Sequence, residues 1–472
     1  MKILFIGSEA TPFVKTGGLA DVLGSLPKAM EKRGHEIALI LPKHKAIKEK
    51  YQEKLILEHT TKVPIAKKKE FVGIESMRHE GMTIYFIDNE YYFGYRPNLY
   101  GDYDDGERYG YFSHAVIALI KHLNYDVDIL HLHDWQTGLI PYIMKVSKEK
   151  RLRHIHTVFT IHNIAYQGIF DKQLMPYLSV PFSEEIEYDG MINFLKSGIV
   201  TADYVTTVSP AYAEEIQYAY FGYGMEGILK DRKDTLKGIM NGINYEDFNP
   251  KTDPLIHKNY HLHNYLKGKE ANKQALLKMF HLENETLPVF GIVSRLTEQK
   301  GFTLLKGIIE PLLKAKKLQL IVLGSGDKDL QHYFESLRRA YPELVGLYFG
   351  YSEKIARNIY AGADFFLMPS RFEPCGLSQL IALKYGTLPV VRQTGGLKDS
   401  VEPYNKFTNS GTGLGFLNFS SEDLARTLDA ALALFNNKRN FNQVRRRGMQ
   451  EDFSWEASAK IYEELYQSLG GE

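Results

Sequence analysis

Lys15-Thr16-Gly17-Gly18-Leu19-Ala20-Asp21 returns late in the chain as Gln393-Thr394-Gly395-Gly396-Leu397-Lys398-Asp399, and the setting of these two stretches decides the fold. Each follows a short apolar, β-type run, Ile3 to Ile6 before the first and Pro389 to Val391 before the second. Each then opens a helix-type sequence. In the first copy Val22, Leu23, Leu26, Ala29 and Met30 fall on one helical face, Pro27 predicts a kink, and Gly34 supplies a stop. Strand, glycine turn and helix make the opening unit of a parallel sheet, since a parallel partner can only be reached by a crossover.

Outward from these loops the same alternation continues. In the first half, Ile37 to Leu41, Ile129 to Leu132, Thr157 to Ile161, Tyr204 to Val208 and Leu236 to Met240 read as strands. In the second half, Val289 to Ser294, Leu318 to Leu323, Leu347 to Phe349, Phe365 to Met368 and Gly413 to Phe416 do so. Helical stretches separate them, so the expected class is α/β, with two Rossmann-like, doubly wound parallel sheets. The turn-rich Asn249-Pro250-Lys251-Thr252-Asp253-Pro254 suits a connection between domains and places the boundary near residue 245.

Composition removes several function classes. With 58 Lys+Arg against 57 Asp+Glu there is no general field to attract nucleic acid or an anionic membrane, so neither is expected as a partner. The single cysteine, Cys375, excludes an intramolecular disulfide and a multi-cysteine zinc site and fits a reducing compartment. The opening Met1 to Gly7 is too short and weakly charged for a signal peptide, and no run of about 18 apolar residues is present, so a cytoplasmic location is expected.

Ligands of open α/β sheets bind beyond the carboxyl ends of the strands. The residues found there are His133-Asp134, His162-Asn163, Asn241-Gly242, Arg295, Gly324-Ser325-Gly326, Ser370-Arg371-Phe372-Glu373 and Thr394-Gly395-Gly396. Any one of them alone reads equally as a cap or a turn. The Gly17-Gly18 and Gly395-Gly396 pairs let backbone approach a ligand, and the helix starts behind them favour an anion, although a tight turn explains either pair in isolation. Arg295 and Lys300 bring a guanidinium fork and a point charge that suit a diphosphate, or else form a solvated pair.

Competing signatures fail. Gly324-Ser325-Gly326 lacks the third glycine of a dinucleotide fingerprint, because position 329 is Asp, and there is no GxxxxGK[ST], GxSxG or HExxH sequence. His131-Leu132-His133-Asp134 has no accompanying ligand motif. Asp126-Val127-Asp128 has the form of a metal-binding acidic pair but precedes its strand, at the wrong sheet edge. Asp102-Tyr103-Asp104 reads as a solvated loop or one that contacts acceptor hydroxyls.

Taken together, several motifs resemble those of the bacterial glycogen synthases and plant starch synthases over essentially the whole length. They are Lys15 to Val22, His133-Asp134-Trp135, Phe159 to Gly168, Phe221 to Gly227, Asn241-Gly242-Ile243, Ser294 to Thr297, Gln299-Lys300-Gly301 and Pro369 to Leu377. The resemblance implies the GT-B architecture: domains at 1–245 and 246–453 facing a deep cleft, and a helix within 454–472 returning to the first domain. It implies retaining transfer of glucose from ADP-glucose to the non-reducing end of an α-1,4-glucan such as glycogen, without metal or other cofactor.

By the same resemblance the catalytic residues are His162, Arg295, Lys300, Glu373 and Asp134. Lys15, Gly17, Gly18, Asn241, Cys375, Gly376, Leu377, Thr394, Gly395 and Gly396 hold the donor and its phosphates, and Asp21 contacts sugar. Cys375 is expected to be partly exposed near the site and not to act as a nucleophile. One departure is Ile381, where related retaining transferases often carry a second Glu eight positions after the first. Two other readings stay open: a transferase or phosphorylase of the same architecture with another donor, and a silent glucan-binding protein using Tyr91-Tyr92-Phe93 and Tyr218 to Tyr223.

Overall fold

The computed structural model describes residues 1–282 and 284–470, and it divides into two compact units. Met1–Asn241 forms one together with the chain from Trp455 onward, and Gly242–Ser454 forms the other. Among the described residues no helix is long and apolar enough to cross a membrane.

The first unit contains β1 (Lys2–Ile6), β2 (Glu36–Pro42), β3 (Ile56–Ile65), β4 (Lys68–His79), β5 (Met82–Asp88), β6 (Ile129–His133) and β7 (His156–Ile161). A small antiparallel sheet follows, made of β8 (Ile169–Phe170), β9 (Glu187–Tyr188) and β10 (Met191–Asn193), and then β11 (Tyr204–Thr207) and β12 (Leu236–Gly238). The main sheet runs β12-β11-β7-β6-β1-β2-β5-β4-β3. From β12 to β5 every pairing is parallel. The central strands β1, β2, β6 and β7 are largely buried because helices cover both faces.

β4 and β3 depart from the purely parallel sheet that the sequence suggests, adding an antiparallel edge. β3 is exposed along most of its length, so it lacks the apolar run that marks a buried strand. The β3–β4 turn places Ala66 and Lys67 at φ 49° and 64°, a two-residue hairpin turn built without the usual Asn-Gly signal.

Helix Gly18–Lys32 buries Leu19, Val22, Leu23, Leu26 and Met30 and continues through Pro27. The last helix, Trp455–Leu469, packs on it through Trp455, Ala459, Tyr462 and Tyr466. Glu463 accepts from Arg33 and bonds His35 at 2.8 Å, and the Ser458 hydroxyl donates to the Met240 carbonyl at 2.6 Å.

The second unit carries β13 (Val289–Val293), β14 (Gln319–Gly324), β15 (Val345–Phe349), β16 (Phe365–Met368), β17 (Leu388–Arg392) and β18 (Leu414–Phe416). They form one parallel sheet ordered β15-β14-β13-β16-β17-β18. Alternate residues feed two separate cores: Phe290, Ile292, Leu320 and Val322 enter one, and Val289, Ile321 and Leu323 the other. In both units the strand order reverses beside the first strand, between β1 and β6 and between β13 and β16. Those reversals are the switch points where such sheets bind ligands.

Candidate active site

At the β1/β6 switch point of the first unit, the organising group is Glu9, 1% exposed. Its carboxylate accepts from the Thr16 amide, the Thr16 hydroxyl (2.7 Å) and the Gly17 amide (3.3 Å). The Tyr100 hydroxyl also bonds that of Thr16. Burial raises the pKa of Glu9 against these hydrogen bonds, and burial beside Glu9 pushes Tyr100 up to about 12. Glu9 therefore clamps the glycine turn. Lys15 pairs with Asp21 at 2.7 Å, with both side chains partly open to solvent. Helix Gly18–Lys32 has no side-chain cap from Gly17, so its first amides are available to a ligand. A Cβ at Gly18 would meet nothing within 4 Å, so packing does not demand glycine there.

Asp134 follows β6 at φ 59°, and its Oδ1 accepts from the His162 amide at 2.8 Å. Part of Asp134 is open to solvent, yet its carboxyl is desolvated enough to raise its pKa to about 7. Desolvation also lowers His162 to about 3, so this ring is neutral at physiological pH. His162 Nε2 stands 2.9 Å from His133 Nδ1. Asn241 is buried, and its Oδ1 has no hydrogen-bond partner among the described residues.

Raising the Asp134 pKa has a consequence for stability. Between pH 3.8 and about 7 the folded chain keeps a proton here that the unfolded chain releases, so this group's contribution to stability falls as pH rises through that window. Asp134→Asn should therefore stabilise the first unit at pH 8 by about 3 kcal/mol, allowing for partial solvent access, with the gain vanishing near pH 4. Thermal melts of both proteins across pH check this; a gain of equal size at every pH contradicts it.

At the β13/β16 switch point of the second unit, Lys300 Nζ bonds both carboxylate oxygens of Glu373, at 3.0 and 2.7 Å. The Ser370 hydroxyl donates to the same carboxylate at 3.0 Å. Their loops are tied together: the Arg371 amide donates to the Gln299 carbonyl, and the Gln299 side-chain amide to that of Phe372. Val293, Ser294, Arg295, Lys300, Glu373, Gly376 and Leu377 are among the walls of a cavity of about 200 Å³. Arg295 is exposed, and no acid or acceptor pairs with its guanidinium among the described residues. A wider hollow of about 510 Å³, near Asn284, Lys316 and Glu343, lies at the amino ends of β13, β14 and β15. That is the end of the sheet away from the switch point.

Two glycine pairs in this unit serve packing. A Cβ at Gly324 or Gly326 would come within 1.8 Å of the Ser294 carbonyl oxygen or 2.2 Å of that of Leu296, so these residues hold the Arg295 loop in place. At Gly395 and Gly396 a Cβ would approach the Glu373 and Cys375 carbonyl oxygens to 2.1 Å, and the Gly396 amide donates to the carbonyls of Glu373 and Pro374. The loop of Thr394, Gly395 and Gly396 thus braces Glu373, whereas Gly17-Gly18 is glycine without a packing reason.

Two expectations need correction, for Cys375 and for the Asp102-Tyr103-Asp104 loop. Cys375 is buried at 6%, because the Gly395-Gly396 turn covers it. Asp102 and Asp104 are not free solvated carboxylates: Arg108 pairs with Asp102 and Arg96 with Asp104. Asp128 accepts from the Lys2 amide at 2.7 Å and so pins β1. Ile381 belongs to the apolar core. Among the described residues no group of three or more His, Cys, Asp or Glu is arranged to hold a metal. Glu9 and Tyr100 were not singled out from sequence, though Glu9 lies just beyond the carboxyl end of β1, where the strand-end rule points.

Comparison with known proteins fits this geometry. Residues 2–231 match the family model described as starch synthase catalytic domain, and residues 274–447 match glycosyl transferases group 1. A glycogen synthase from Bacillus cereus (strain Q1) is 45% identical over 477 residues, covering 99% of this chain and 100% of that protein. The chain belongs to the glycogen and starch synthase family. Another member, the glycogen synthase of Geobacillus thermodenitrificans, is 42% identical over 480 residues, 99% of this chain and 98% of that one. Among solved structures, the catalytic domain of starch synthase IV from Arabidopsis thaliana, bound to ADP and acarbose, superposes with a TM-score of 0.90. It is 32% identical, with 100% of this chain and 99% of that one covered. The family's architecture is GT-B, and the two Rossmann-like units are its two domains.

Proposed function

We propose that this chain transfers glucose from ADP-glucose to the non-reducing end of an α-1,4-glucan such as glycogen, with retention of configuration. The observation that carries this reading is Lys300 spanning both oxygens of Glu373 beside an unpaired Arg295 at the β13/β16 switch point. A leaving diphosphate gains charge as the sugar bond breaks, and fixed cations aimed at it lower the barrier. Arg295 and Lys300 supply them, so the reading calls for no metal. Glu373 accepts from glucose hydroxyls. In the first unit His162 and Asn241 serve sugar hydroxyls, Asp134 is a further site residue, and Lys15, Asp21 and the Gly17-Gly18 turn help place donor and acceptor.

Glu373 is a poor nucleophile for a covalent intermediate, since Lys300 and Ser370 already engage its carboxylate. We therefore favour same-face substitution, with the departing phosphate taking the acceptor hydroxyl's proton; a trapped glucosyl ester of the enzyme would rule this out. Glucose incorporation into glycogen from ADP-glucose, UDP-glucose and glucose 1-phosphate tests the donor. Preference for ADP-glucose is expected, and incorporation from glucose 1-phosphate alone would instead mark a phosphorylase.

A further inference from the structure

His133 has no part in the function proposed above, yet it is a fully buried titratable group beside His162. It ends β6, is 0% exposed, and its ring lies 4.2 Å from that of His131 and 6.1 Å from that of Phe5. His131 is saturated: Nε2 bonds the Thr160 hydroxyl at 2.6 Å and Nδ1 the Tyr466 hydroxyl at 2.7 Å, and Thr160 continues to Thr206 at 2.6 Å. His133 differs. Its Nδ1 meets His162 Nε2 at 2.9 Å, and its own Nε2 is buried with no hydrogen-bond partner among the described residues.

We propose that His133 is a positioning residue: it donates its Nδ1–H to His162 Nε2 and locks His162 as the Nδ1–H tautomer, which presents an N–H donor to an oxygen of the glucosyl group. This rests on the reading of His162 as a sugar contact. Both rings are neutral, since burial lowers the pKa of each. Two arrangements of one shared proton are then available. If His162 donated from Nε2, His133 would carry its proton on Nε2 and bury an N–H without an acceptor. If His133 donates, what is buried is a bare lone pair. An orphaned buried N–H is the rarer and costlier of the two.

The chemical consequence is specific. With Nε2 held by His133 and Nδ1 already protonated, His162 has no lone pair left with which to act as a general base. It is a fixed neutral donor. The packing of the network behind His133, anchored by Tyr466 on the last helix, keeps the imidazole oriented in the way outer-shell partners orient active-site histidines.

The test is ¹⁵N NMR of the full-length protein labelled at histidine, with kinetics of His133 variants. The His162 ring should show its one-bond proton coupling at Nδ1 and a bare Nε2; a proton on His162 Nε2 overturns the proposal. His133→Leu should lower kcat by about 10- to 100-fold with little change in KM for glycogen. His133→Asn, whose amide nitrogen can stand near the Nδ1 position, should recover most of that loss, and His133→Gln should not. Equal losses in the Asn and Leu variants at matched melting temperatures also overturn it. If the tautomer is as stated but His162→Ala keeps full turnover, the sugar-contact reading falls while the His133–His162 pairing stands.

Discussion

Lys300→Ala and Arg295→Ala should each lower kcat by about 10²- to 10³-fold, the scale set by removing one preorganised donor from a developing negative charge. The two losses have different origins. The Arg295 guanidinium has no partner among the described residues, so alanine removes a cationic fork without disturbing the chain, and the melting temperature should hold. Lys300 is bonded to both oxygens of Glu373, which is 6% exposed, so alanine also leaves a buried carboxylate short of its cation. The Lys300 variant should therefore lose stability as well as turnover. Steady-state kinetics and thermal melts of both variants check this. Near wild-type turnover in either removes the diphosphate assignment.

The second large effect is on acid stability. Burial lowers the pKa of five histidines of the first unit: His44 and His162 to about 3, His131 and His133 well below the ordinary value, and His114 less strongly. The four lowered furthest stay neutral when folded, and each of the five takes up a proton near pH 6.5 when unfolded. Their contribution is complete above pH 6.5 and is lost as pH falls toward 3. Asp134 works in the opposite direction between pH 3.8 and 7 and offsets about one proton. Unfolding near pH 5.5 should then take up about three protons, from the four histidines lowered furthest less one for Asp134, so stability drops by about 4 kcal/mol per pH unit. Acid should melt the first unit before the second. Melting curves between pH 7.5 and 5 read this directly, and an unchanged first transition contradicts it.

How far the sequence carried depended on the kind of signal involved. The parallel strands other than β5 were legible because burial on both faces leaves continuous apolar runs such as Ile3 to Ile6 and Phe365 to Met368, whereas β5, with Thr83 and Tyr85 only partly buried, was missed. The β3–β4 hairpin was not, since an edge strand is largely solvated and its Ala66-Lys67 turn carries no turn signature. That Asp134 and Glu373 stand beyond strand ends followed from topology, but their assignment to a site came only with the family resemblance. Partnership did not. That Lys300 meets Glu373, that Glu9 clamps the Thr16 turn, or that Arg96 and Arg108 occupy Asp102 and Asp104 depends on loop geometry that spacing along the chain does not encode. The repeated Thr-Gly-Gly-Leu marked two equivalent positions after strands, but the glycines at 395–396 answer to packing against Glu373 and Cys375, while Gly18 does not.

The chain's proposed reaction is transfer of a glucosyl group from a nucleotide sugar to a glucan. The most direct measurement is ADP release from ADP-glucose, with and without glycogen, alongside glucose incorporated into the polymer. ADP release should require glycogen and match incorporation one for one. Glycogen binding without ADP release, or release unaccompanied by incorporation, would contradict it.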